Sequence, residues 1–250
     1  MRLCAIYNVW YDGTEILPYS IRSIANVVDE VLIVYSNASN HGTTINCLDQ
    51  IDGLGSLINW EPNPAKTPHQ NEIDKRNFGL SAAKGLKFDH FIMLDCDECY
   101  DSDELKRDRD SLYNSTRMNG FVHQMKVYLT PTLCCDDHTL VPGLHKLKPE
   151  TKFVFNSTSY PFAYDEQRHA HIDPTRRLSY NDGVMMSGAT MHHYSHVRKS
   201  LKLKIENSSA RDNLRRSTIL QEVHEAKDGY YSKFYRQTLK ETTNKFGIVI

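Results

Sequence analysis

The residues with the greatest chemical potential lie in one run, Phe91-Ile92-Met93-Leu94-Asp95-Cys96-Asp97-Glu98. The four apolar residues read as a buried strand. Two carboxylates, spaced i and i+2, follow at its C-terminal end, and in open α/β sheets ligands bind outside the carboxyl ends of the strands. Two aspartates at that edge repel each other unless positive charge lies between them. Mg²⁺ or Mn²⁺ supplies that charge, takes oxygen ligands, and commonly completes its shell with substrate phosphates. An Asp-x-Asp pair alone also occurs in solvated acidic turns; its place after an apolar strand favours the cation site.

A second concentration is His192-His193-Tyr194-Ser195-His196, followed by Arg198, Lys199, Lys202 and Lys204. A neutral imidazole can complete a cation site begun by two carboxylates. On a helix, Arg198 and Lys202 would share a face, where they could neutralise charge growing on a leaving diphosphate. Cys96-x-x-Cys99 is a weaker candidate for metal or redox chemistry, because the remaining close pair, Cys134-Cys135, is adjacent rather than spaced.

The elements that must position these groups follow from periodicity. Leu3 to Val9 and Glu30 to Tyr35 are short apolar runs that predict buried strands. Between them, Leu17, Ile21, Ile24 and Val28 recur at helical spacing, with Thr14 as a candidate N-cap and Pro18 in the first turn. Strand, helix, strand with short links is a βαβ unit and implies a parallel sheet. Ser56 to Trp60 predicts a third strand, Asn71 to Lys84 a helix, His90 to Leu94 the fourth strand, and Asp103 to Leu112 another helix. Gly120 to Leu129 predicts a longer strand. Residues 131–190 are less regular, with strand-like pieces such as Lys152 to Phe155, and Val184 to Met191 reads as strand or loop. The tail predicts helices over Arg198 to Ala210, Ser217 to Ala226 and Tyr231 to Thr242.

The chain has 250 residues, 40% hydrophobic and 24% charged, with a formal net charge of -1. That is ordinary for a globular protein and lacks the basic excess of a general nucleic-acid binder. No run reaches the ~18 apolar residues of a membrane helix. Met1-Arg2 leads straight into the first apolar run rather than into a signal peptide. A soluble, cytoplasmic protein without paired disulfides is therefore expected.

Taken in order, these features resemble the family 2 glycosyltransferases of the GT-A fold. The resemblance covers about residues 3–105, from the first strand to Asp95-x-Asp97-Glu98. It resumes near Met191 to Ala210, where His-Tyr-Ser and a basic helix are similar to a bacterial and phage branch. It implies an α/β fold of GT-A type: a Rossmann-like, mostly parallel sheet flanked by helices, with an irregular acceptor half and C-terminal helices. One domain over 1–250 is expected, divided into a nucleotide-binding half (1–105), an acceptor and metal half (106–196) and closing helices (197–250).

The resemblance also implies roles. Asn8 would open the nucleotide pocket. Ser36 and Asn37 would stand where the family contacts the base, a place where it more often has Asp. Arg76, in Arg76-Asn77-x-Gly79, would line the nucleotide site, with Arg198 and Lys202 on the phosphates. Asp95 would meet ribose or metal, Asp97 the metal, and Glu98 matches the acidic residue often found just behind. A late histidine is a third metal ligand in that branch; His193, directly before Tyr-Ser, is first choice and His192 second.

The implied reaction moves a sugar from a nucleotide-diphosphate donor to the hydroxyl of a saccharide or other acceptor, with Mn²⁺ or Mg²⁺ as Lewis acid and template. Inversion would need a base. Glu166 is preferred, then Asp165, because they follow the aromatic stretch Tyr160 to Tyr164, with Asp182, Asp136 and Asp137 behind. Three other readings compete, one of them a generic metal hydrolase that would release phosphate from simple esters with no preference for nucleotide sugars. A nucleotidyltransferase would also use paired carboxylates, but it usually carries a Gly-rich basic loop where this chain has Trp10-Tyr11-Asp12-Gly13-Thr14-Glu15. An inactive nucleotide-sugar-binding module is at odds with the intact Asp95 and Asp97.

Overall fold

The computed structural model describes residues 1–155, 171–172, 175–180, 182–208 and 216–250. Its N-terminal half alternates strand and helix: β1 (Leu3–Val9), α1 (Leu17–Ile24), β2 (Glu30–Tyr35), the single turn α2 (Leu48–Ile51), β3 (Ser56–Asn59), α3 (Pro68–Gly85) and β4 (His90–Asp95). Strands β1 to β4 form a parallel sheet in the order β3-β2-β1-β4. β1 and β4 are buried along almost their whole length, as their unbroken apolar runs require.

Helix α3 sits on this sheet. Its first turn is fixed by a capping box between Thr67 and Gln70, with a proline at the start. Ile73, Leu80 and Ala83 pack with Ile6, Val34 and Met93. Gly79 permits the close approach: a Cβ there would lie 2.6 Å from Ile6 Cγ2 and 3.0 Å from Val34 Cγ2.

After β4 the chain turns through Cys96 and Asp97 into β5 (Glu98–Tyr100), then α4 (Ser102–Asn114), β6 (Gly120–Thr130), β7 (Leu133–Lys146), β8 (His171–Ile172) and β9 (Val184–His193). These strands extend the same sheet through β4-β7-β6-β9-β5. The β4–β7, β7–β6 and β9–β5 pairings are antiparallel, and β6–β9 is parallel. The fold class is thus α/β, a mixed sheet flanked by helices. Among the described residues no helix is long and apolar enough to cross a membrane.

The second half departs from the sequence reading in several places. β7 is a fourteen-residue strand where an irregular stretch is expected. Asp136-Asp137 and Pro142-Gly143 mask its pattern, and the pairing absorbs them as register shifts against β6. Among the described residues, α5 (Leu201–Asn207) forms within the helix expected over Arg198 to Ala210, and α6 (Arg216–Glu225) follows. The helix expected over Tyr231 to Thr242 is absent. The chain there forms β10 (Tyr231–Ser232), β11 (Gln237–Thr238) and β12 (Lys240–Glu241). β10 and β11 form a hairpin with Arg236 at φ 55°, and β12 pairs with β7 while Leu239 is buried. Covering the β7 edge outweighs the helical propensity of this segment. Thr14 does not cap α1; it closes the short turn Tyr11–Gly13, its hydroxyl donating to Tyr11 O at 2.9 Å, and α1 starts three residues later.

Candidate active site

The carboxyl ends of β1, β2 and β4 meet at one sheet edge. Asn8 on β1 is the register partner of Asp95 on β4, and Val9 that of Tyr35 on β2. On the other side, β5 pairs with β9 so that Glu98 stands opposite His193, and Tyr194 N donates to Asp97 O at 2.7 Å. The sequence-distant His-Tyr-Ser run is thereby set against the acidic turn. A cavity of about 280 Å³ opens here, lined by Asn8, Trp10, Asp12, Trp60, Lys75, Asp95, Asp97, His193, Arg198 and Lys204 among others.

The acids are closely countered by the chain's own bases. Asp95 lies between two guanidinium groups: Arg76 Nη2 donates to Oδ1 at 3.1 Å, and Arg176 Nη2 to Oδ2. Arg176 also pairs with Glu98, whose Oε2 accepts the Asp95 backbone N–H at 3.1 Å. Arg76 reaches Glu72 as well, at 2.7 Å. Asp97 Oδ2 accepts from Arg198 Nη2, and from Lys204 Nζ at 2.9 Å. Arg198 is further tied to Asp12 O at 2.6 Å and Ser195 O at 3.0 Å.

The protonation states follow. Burial pushes the Asp95 carboxyl upward, but Arg176 and Arg76 outweigh it and hold its pKa below the usual range. Asp97 is likewise held well below that range, burial being overcome by Lys204, His193 and Arg198. Both are ionised. Glu98 and Asp12 go the other way, raised by burial that their basic neighbours only partly offset.

The structure relocates several residues singled out in the sequence. Arg76 is fully buried behind the cavity as a counter-ion, and its neighbour Lys75 lines the cavity instead. Ser36 and Asn37 shape a loop rather than face the cavity. Ser36 Oγ donates to Ala38 O at 2.5 Å, and Asn37 Oδ1 accepts from Cys47 N at 3.3 Å, which turns Ala38, Ser39 and Asn40 inward. Lys202 points away, its side chain 81% exposed and 3.9 Å from Glu206. Because α5 begins at Leu201, Arg198 lies outside the helix, the shared face with Lys202 does not form, and Lys204 reaches Asp97. His192 turns from the cavity, its Nδ1 sharing a hydrogen bond with Tyr128 Oη at 2.8 Å. Asp182 accepts from Asn119 Nδ2 at 2.9 Å, and Asp136 and Asp137 lie on β7; none of the three lines the cavity. Glu166 and Asp165 lie outside the described residues. Cys96 and Cys99 are free, buried thiols with raised pKa values, and Cys96 Sγ donates to Asn8 O at 3.2 Å.

Trp10, Asp12, Trp60, Lys75 and Arg176 were not legible as site residues. Trp10 and Asp12 carry a positional signal, since they directly follow a buried strand at a ligand-binding edge. Arg176 has none, because only the tertiary fold brings it to Asp95.

Among the described residues, no group of three or more His, Cys, Asp and Glu is arranged as a complete metal site. Asp97 Oδ1 is buried without a hydrogen-bond partner, and His193 Nε2 lies 3.4 Å from it on the cavity wall. One oxygen and one imidazole nitrogen suit a Mn²⁺ or Mg²⁺ ion that keeps its other positions for water and phosphate. Asp95 has both oxygens engaged by arginines in this arrangement.

No protein-family model matches the chain, and no curated protein does. Among solved structures the chain is similar to S. aureus TarS, with 14% identity over 90% of this chain and 43% of that one, at a TM-score of 0.47. It is also similar to glucosyl-3-phosphoglycerate synthase from Mycobacterium tuberculosis in complex with Mn²⁺, UDP and phosphoglyceric acid, with 10% identity over 51% of this chain and 43% of that one, at a TM-score of 0.32. The chain spans about a third of TarS 1-349 in its structures with UDP and UDP-GlcNAc, 36% and 35% of their length.

Proposed function

We propose that the protein is a glycosyltransferase that takes a sugar from a nucleotide-diphosphate donor with the help of a divalent cation. One observation carries this reading: a cavity at the carboxyl edge of a parallel sheet holds an ionised Asp97 whose Oδ1 takes no bond from the nearby arginine or lysine and lies 3.4 Å from His193 Nε2. Charge balance agrees. Asp12, Glu72, Asp95, Asp97 and Glu98 are matched in number by Lys75, Arg76, Arg176, Arg198 and Lys204. A diphosphate entering a site whose described acids and bases are equal in number gains from added positive charge, which a divalent cation brings.

Asp97 and His193 would hold the ion, whose chemistry is Lewis-acid stabilisation of the departing nucleoside diphosphate. Arg198 and Lys204 fix the Asp97 carboxylate so that its second oxygen stays beside His193. Asp95 and Glu98 hold Arg76 and Arg176 in place behind it and keep the turn rigid. Preorganised charge of this kind is often the largest catalytic term. The halves 1–105 and 106–196 then serve donor and acceptor, with 197–250 closing over them. The base for an inverting transfer is assigned to Glu166 or Asp165 on the sequence alone.

Asp97→Ala tests the reading. Calorimetric titration of Mn²⁺ with a nucleoside diphosphate should lose all metal-dependent binding, while the circular dichroism spectrum stays that of wild type. Tight Mn²⁺-dependent binding in the variant would contradict the assignment.

A further inference from the structure

Lys75 stands apart from the other bases of the cavity. Arg76, Arg176, Arg198 and Lys204 each end on a carboxylate. Lys75 is 7% exposed, and no described carboxylate stands in ion-pair range of it. Its Nζ makes one hydrogen bond, to Val9 O at 2.7 Å, and lies 5.7 Å from the centre of the Trp60 ring. An ammonium carries three donors, so two remain for whatever enters. A buried charge without a partner is costly, and here burial lowers the Lys75 pKa to about 8. The indole Nε1 of Trp10, on the same cavity wall, is also buried without an acceptor.

We propose that Lys75 and the Trp10 indole N–H are ligand-facing donors that bind acceptor-only oxygens of the nucleotide, and that Lys75 rather than Arg76 is the α3 residue that touches it. The proposal rests on the donor reading above and adds the residue and the ligand chemistry to it. Two donors lining one cavity, Lys75 with N–H groups left over beyond Val9 O and the Trp10 indole with no acceptor, fit a group presenting oxygens, either the carbonyls of a base or the oxygens of a phosphate.

Calorimetry separates these sources. The nucleoside diphosphate that wild type binds most tightly among UDP, GDP, CDP and ADP, with Mn²⁺, is titrated into wild type, Lys75→Met and Trp10→Phe. The matching nucleoside and inorganic pyrophosphate are run in parallel. Lys75→Met should weaken diphosphate binding by roughly 10- to 100-fold, as expected for a lost charge-assisted hydrogen bond, and Trp10→Phe by roughly 2- to 10-fold. The melting temperature of ligand-free Lys75→Met should stay level or rise, because a buried unpaired charge has been removed. Loss confined to the nucleoside assigns the base carbonyls; loss confined to pyrophosphate assigns the phosphates. Diphosphate binding by Lys75→Met within about twofold of wild type would overturn the inference, and so would a lower melting temperature accompanying the loss, which would mark Lys75 as structural. Wild type that binds none of the four diphosphates would instead remove the donor reading, and this inference with it.

Discussion

Asp97 shows how a single carboxylate is divided between structure and chemistry. One oxygen is taken by Arg198 and Lys204, and the other is left without a hydrogen bond beside His193. The sequence makes Asp97 prominent because it is the second of two acids that close an apolar strand. The same logic cannot tell Asp95 from Asp97, since the arginines that occupy Asp95 come from positions 76 and 176. Nor does it choose between neighbouring lysines. Lys202 and Lys204 are equivalent in composition, and only the start of α5 at Leu201 turns Lys204 inward. Lys204→Met should therefore weaken nucleoside diphosphate binding by about tenfold, the scale of one charge-assisted contact. Lys202→Met should leave it unchanged. Equal effects of the two in parallel titrations would contradict the placement.

At the scale of elements, what was readable is what local pattern controls. β1, β2 and β4 are continuous apolar runs, and α3 is read from Asn71 to Lys84, whereas its capped start at Thr67-Pro68 goes unread. β7 was not readable, because its residues answer to β4 and β6 rather than to an alternation of their own. The tail reads as helix because β12 answers to β7, far away in the chain, and β10 and β11 are two-residue strands too short to show an alternation. The contact of α3 with the sheet has a specific weak point at Gly79. A Cβ there meets Ile6 and Val34 side chains in a packed core, so Gly79→Val should cost about 1–3 kcal/mol by overpacking. A denaturation midpoint equal to that of wild type would show that the helix can lift away freely.

For the whole molecule, histidine burial sets the response to pH. His145 and His196 are pushed down by burial to about 3, and His90 and His192 to about 4, from an ordinary value of 6.5. Below that ordinary value the unfolded chain takes up protons that the folded chain refuses. The stability these groups contribute is thus complete above about pH 6.5 and is lost as pH falls toward 3, at up to about 1.4 kcal/mol per pH unit for each. Asp95 and Asp97, lowered by their basic partners, are lost in the same direction, while Glu98 and Asp12, raised by burial, partly oppose it. The melting temperature should fall steadily from pH 7 to pH 4; a level profile across that interval would contradict the buried neutral histidines. The central claim, that this sheet edge receives a nucleotide sugar together with a cation, is met most directly by thermal shift of the wild-type protein against a panel of nucleotide sugars with and without Mn²⁺. A rise in melting temperature for a subset of donors, present with Mn²⁺ and absent with chelator, is the predicted result. A melting temperature that no donor moves under either condition would contradict it.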